Sequence, residues 1–313
     1  MIQRSQGEHI LPLPGIDGGN LLAFLAAIGT FRTLADILCL PVRMSWSPER
    51  GALRPALHMP AAEDAAQVIE LLTAALEPSR VRADGHPCMN WKYWEGESEC
   101  RRQLFDNARI SADRHGRAMC DWLSAIGADL VLGEKETSDT PLRASRADYL
   151  VGNLKTIIGA TSDPHLKQAL FAPWTYDDPL DNCSLKFDPS EDRRHALQWS
   201  APTKDRDRKK RGNMLGANRL AIEALPLFTS TIQGKRLATT ACSRVAGEWR
   251  VTWPLWSEPA SLDVVRSLLS LADLSDDSRN PSEMREMGLC AVFRCHRQTI
   301  GKTRVFTPAT RIA

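Results

Sequence analysis

Long apolar runs are missing from this chain: no stretch approaches the roughly 18 consecutive apolar residues of a membrane span. The opening "MIQRSQGEHILPLPG" also lacks the apolar centre of a secretory signal, so a soluble cytoplasmic protein is expected. The eight cysteines, at 39, 88, 100, 120, 183, 242, 290 and 295, include no CxxC pair and no compact disulfide spacing. Such usage fits a reducing compartment. Excess charge is missing as well. With 40 Lys+Arg against 38 Asp+Glu the formal charge is only +2, so any attraction for nucleic acid must come from where the charges sit. The GxxxxGK(S/T), HExxH and GxSxG signatures are absent, and "GIDGGN" has too little context to be a phosphate loop. No internal repeat suggests a solenoid. The usual nucleotide-binding, zincin and hydrolase signatures are thus missing, and no catalytic residue, metal or cofactor is assigned from motifs.

What is present reads as an ordinary globular chain of 313 residues, 43% hydrophobic and 25% charged. One large domain or two lobes would fit this length. In "GGNLLAFLAAIGTFRTLADIL" Asn20 can cap a helix, with Leu21, Phe24, Leu25, Ile28, Phe31 and Leu38 at helical spacing. Ala and Gly fill the opposite face, so a helix over 20–38 should be buried nearly all round. "VRMSW" and "ALRPALHM" alternate as strands around a "SPERG" turn, and the helix in "AAEDAAQVIELLTAAL" should stop at Pro78. Helical patterning returns from Glu97 to about Gly127, with a break near "SADRHGR". Residues 128–145 read as an exposed connection, and "RADYLVGNLKTIIGA" and "DPHLKQALFAP" as two helices. A boundary at Pro173 to Pro179 would divide an N-terminal α+β lobe, 1–175, from a C-terminal α+β lobe, 176–313. In the latter, "LGANRLAIEALPLF" is helical to Pro226, "KRLATTACSR" and "EWRVTWPLW" are strands, "SLDVVRSLLSLADL" is a helix capped by Ser261, and "GLCAVFRCHRQTIGKTRVFTPAT" is a hairpin. The class is α+β, helix-rich with short antiparallel sheets.

Between 203 and 213 stands "TKDRDRKKRGN". Lys204, Arg206, Arg208, Lys209, Lys210 and Arg211 place six cations in eight positions, with a local charge of about +4. A solvated charged loop is the plain reading. Gly212, Asn213, Gly216 and Asn218 at the entry to a helix turn it toward phosphate contact, where backbone N–H groups and amides can approach a nucleic acid. The stretch reads as a mobile loop that orders on binding. "MNWKYW" sets Asn90, Trp91, Lys92, Tyr93 and Trp94 together. These either pack or form a wedge that stacks on bases while Asn and Lys touch groove edges. "KFDPSEDRRHAL" gathers Asp188, Glu191, Asp192 and His195, a ligand set for a nuclease metal, beside Arg193 and Arg194, with which the carboxylates could equally form ion pairs. Cys290, Cys295 and His296 lack the second pair that a zinc site needs.

Three of these stretches, "GNLLAFLAAIGTFRTLA", "FDPSEDRRHALQW" and "GANRLAIEALPLF", resemble landmarks of type I-G (formerly I-U) CRISPR-associated proteins that take the large-subunit position of the Cascade effector complex. The landmarks cover roughly residues 15–228. The resemblance implies a non-catalytic subunit working with CRISPR RNA, target DNA, repeated backbone subunits and a recruited helicase-nuclease. It would recognise the PAM duplex and aid R-loop opening in antiviral defence, while guide pairing reads the sequence. The chain is short for a large subunit and shows no C-terminal four-helix bundle. On this reading the six cations hold phosphates, Trp91 stacks, and Asn213, Asn218, Arg219, Asn90 and Lys92 are placed for groove edges. A metal-dependent nuclease and an architectural adaptor binding guide RNA and neighbouring subunits are the alternatives.

Overall fold

The computed structural model describes residues 9–83, 86, 106, 110, 114–126, 130–132, 135–137, 140–144, 147–179, 183–191, 212–234, 236–271, 274, 281–300 and 303–313. Two buried helices form its centre. Helix α1, Leu21–Arg32, begins where the Asn20 side chain accepts from the Ala23 N–H at 3.1 Å, and continues into a π-helical turn, Thr33–Ile37. Every α1 residue is buried. The order continues with strands β2, Arg43–Glu49, and β3, Ala52–Met59, after an initial β1, His9–Pro12. Then come α2, Ala65–Val81, α3, Arg114–Ile126, the paired strands β4, Leu130–Leu132, and β5, Lys135–Thr137, and helices α4, Ala147–Ala160, and α5, Asp163–Phe171. The second central helix, α6, covers Leu215–Ala224 and tightens into a 3-10 turn, Leu225–Leu227, at Pro226. All ten of its residues are buried too.

The two central helices touch backbone to backbone. A Cβ at Gly29 of α1 would lie 1.8 Å from the Leu220 carbonyl oxygen of α6, so only glycine permits this crossing. Antiparallel sheets flank the pair. The smaller has the order β1-β3-β2. The larger is built from β6, Ser230–Gln233, β7, Arg236–Thr239, β8, Cys242–Val245, β9, Glu248–Trp256, β10, Leu289–Ile300, and β11, Thr303–Phe306, with β12, Thr310–Arg311, also on β10. Helix α7, Leu262–Leu269, opens at Ser261, whose hydroxyl accepts from Val264, and α8, Pro281–Glu286, precedes β10. Buried Trp253 donates to the Gly18 carbonyl at 2.9 Å, and Trp256 to that of Met44 at 2.6 Å, tying the large sheet to the N-terminal segment and the small sheet. Helices and strands from both sides of residues 173–179 share one continuous core.

The α+β class with short antiparallel sheets is as the sequence indicates. Four local expectations are corrected. Pro78 does not stop α2, which runs to Val81: standing in the last turn, its missing N–H and ring disturb only the end of the helix. Helix α3 begins at Arg114, inside the expected break. Residues 128–145 are not a plain exposed connection: they hold β4 and β5, and Thr140, Leu142 and Ala144 are buried. "KRLATTACSR" is two strands, folded back at Ala241, whose φ of 59° lies in the left-handed region.

Candidate functional site

The entry to α6 is where the sequence concentrates its candidates, and the structure builds a clasp there. Asn213 pairs with Asp178 through backbone bonds in both directions, 2.9 and 3.3 Å. Its amide nitrogen donates to the carbonyls of Pro179 and Cys183. Gly212 fits this contact closely, since a Cβ there would meet the Asp178 carbonyl oxygen at 1.6 Å. One turn on, Asn218 accepts from the Leu185 N–H at 2.9 Å and donates to Glu191 at 2.6 Å. The Glu191 carboxylate also accepts from the Met214 N–H, 3.0 Å, and the Ser184 hydroxyl, 2.8 Å. Burial and then the neighbouring Asp188 carboxylate push the Glu191 pKa well above the carboxylate range, against the pull of those three donors. Glu191 and Met214 are thus in contact although twenty-three positions apart. The described flanks of residues 192–211 are thereby held together.

A second network sits at the other end of α6. Glu223 accepts from Arg219 at 2.6 Å and from Arg32 of α1 at 3.3 Å, and His86 Nε2 lies 2.9 Å from it. Arg32 also donates to the Glu223 carbonyl, and Arg219 to Ser79 of α2. Burial acts to raise the Glu223 pKa, but Arg219, His86 and Arg32 together hold it well below the usual carboxylate range. His86 is lowered by burial despite Glu223 beside it. The carboxylate therefore joins α1 to α6, and Arg219 extends the network to α2.

These networks decide where several sequence candidates stand. Asn213 and Asn218 are 0% exposed and Arg219 is 1% exposed. Their polar groups hold the fold together, and none faces a groove edge in this arrangement. Asp188 and Glu191 of the nuclease reading are likewise buried, Asp188 accepting from Tyr176 and the Ser190 N–H. Lys204, Arg206, Arg208, Lys209, Lys210 and Arg211 lie outside the described residues, as do Asn90, Trp91, Lys92, Tyr93, Trp94, Asp192 and His195. Among the described residues, no group of three or more His, Cys, Asp or Glu is arranged to hold a metal ion.

The structure also contains a feature outside these sequence candidates. An open cleft of about 700 Å³ lies between the glycine-rich turn 17–21, the β2–β3 turn 48–53, residues 188–190 and the C-terminal segment 307–311. Part of its wall is the half-buried ring of Phe293. "GIDGGN" is its polar rim: Asp17 Oδ1 accepts from the Gly19 N–H, and Asn20 caps α1. The usable sequence signal was a double glycine directly before a capped helix. For the ion network it was an Arg and a Glu inside otherwise apolar helices. A scan against protein-family models and a search of curated proteins returned no match to this chain, so its chemistry must be read from its own residues.

Proposed function

We propose that this chain is a non-catalytic nucleic-acid-binding subunit of a type I CRISPR RNA-guided surveillance complex, acting in the cytoplasm. In this role it holds PAM-bearing duplex or the displaced strand beside CRISPR RNA and the backbone subunits, aids target opening, and leaves cleavage to a recruited helicase-nuclease. One observation carries the reading. The six cations of 204–211 stand in a sequence segment whose flanks, Glu191 and Gly212 to Asn218, are clasped to the buried core. A cationic segment anchored at both ends suits phosphate holding, which is insensitive to base sequence and steep in salt. The burial of Asn213, Asn218 and Arg219 narrows the reading to phosphate contact at this end, leaving Asn90, Trp91 and Lys92 as the candidates for groove or stacking contacts.

Replacing Lys204, Arg206, Arg208, Lys209, Lys210 and Arg211 with Ala tests it. Binding to duplex DNA of any sequence should weaken, and the slope of log affinity against log salt should flatten by about 0.9 for each phosphate no longer neutralised. An unchanged slope would sink the proposal. The nuclease alternative requires cleavage that depends on magnesium or manganese, and two of its four ligands are already committed to internal hydrogen bonds.

A further inference from the structure

The cleft has a ready-made stacking surface. Four rings, Trp46, Phe24, Trp253 and Phe293, follow one another with centroids 6.1, 5.6 and 6.1 Å apart and interplanar angles of 29°, 25° and 24°. The first three are fully buried, whereas Phe293 is half-buried and lines the cleft. Its orientation is set from behind by Trp253, so a planar guest meets a ring already held in place. Around it stand complementary polar groups. Asp17 has one carboxylate oxygen on the Gly19 N–H, leaving the other to accept from an exocyclic amine. Asn20 uses its amide oxygen as the helix cap, so its NH₂ group can donate. Arg311 is exposed, fixed by Nε to the Ala313 carbonyl and by Nη2 to that of Cys290, both at 2.8 Å, and its remaining Nη1 can meet a phosphate.

We infer that this cleft binds one unpaired nucleotide, its base stacked on Phe293 as the next ring of the series and its phosphate near Arg311. Asp17 favours bases that carry an exocyclic amino group. The inference deepens the proposed function and rests on it for the source of the nucleotide, a strand opened from its duplex. The cleft wall at 188–190 lies next to Glu191, the described residue that precedes the segment carrying the cations.

The test is fluorescence anisotropy of the full chain with a short labelled oligodeoxycytidylate over a salt series. Phe293→Leu keeps apolar bulk and removes the π face, and should weaken binding about tenfold with the salt slope unchanged. Should that variant fail to fold, Gly19→Ala decides, because its methyl would stand 3.2 Å from the Phe293 ring and crowd the base. Wild-type affinity in either folded variant overturns the inference. The six-cation variant separates the two claims: a flattened slope with intact sensitivity to Phe293→Leu supports both. An unchanged slope with that sensitivity sinks the proposed function and keeps the cleft as a nucleotide site, and a flattened slope without it removes only the cleft.

Discussion

Glu223 shows how much can depend on a single carboxylate. It faces two guanidiniums and an imidazole, all buried, so its removal would leave Arg32 and Arg219 without their counter-charge. Breaking such a buried set typically costs about 3–5 kcal/mol. Glu223→Gln is expected to lower unfolding stability by that order, read as a shift of the urea midpoint, and a change near zero would contradict the network. The pH dependence has two limbs. With His86 and Glu223 both held below their ordinary values, unfolding takes up protons in acid, so their stabilisation is lost as pH falls below about 6.5 and further below 4.5. Glu191 acts in the opposite sense. Its folded pKa is raised from 4.5 to about 8, so its contribution is complete below 4.5 and drains away as pH rises toward 8. Glu191→Gln copies the hydrogen bonds of the protonated acid without titrating. Its melting temperature should gain on the wild type across that window and level off above it; a constant difference would refute the assignment.

At the scale of elements, the crossing of α1 and α6 is the least forgiving contact. A methyl at position 29 would be driven into the Leu220 carbonyl, a backbone group that no rotamer change can move aside. Gly29→Ala is expected to destabilise by at least the roughly 1–3 kcal/mol typical of overpacking, measured by equilibrium unfolding. The apolar pattern of α1, the Asn20 cap and the end of α6 near Pro226 were all legible in the sequence, because propensity, capping and burial agree there. Residues 140–144 were not. Their polar neighbours suggest a surface path, yet Arg297 from distant β10 donates to the carbonyls of Thr140 and Pro141 and holds them inside, a contact that no local pattern encodes.

On the scale of the whole molecule, the sequence revealed which residues are unusual more readily than what they do. Asn213, Asn218 and Arg219 stood out beside a cationic run, and their polarity suggested exposure. Burial reverses that inference, since polar groups inside a core are there to satisfy backbone and charge. Arg219→Lys should accordingly reduce thermal stability while leaving the salt slope of DNA binding alone, the converse of what the six-cation variant should do. The cleft stayed hidden for another reason: its walls come from five separate segments of the sequence.

The clasp between Glu191 and Met214 carries a consequence for how such a molecule can be altered. The bond from the Met214 N–H to Glu191 holds the two flanks of residues 192–211 together, whatever the length of sequence between them. Closure entropy changes by only about 0.6 kcal/mol for each doubling of length. Residues 192–211 should therefore be exchangeable for a Gly-Ser connector with little change in melting temperature. On the proposed reading, such an exchange would remove phosphate affinity while the bonds that clasp Glu191 to Met214 and Asn218 stay in place.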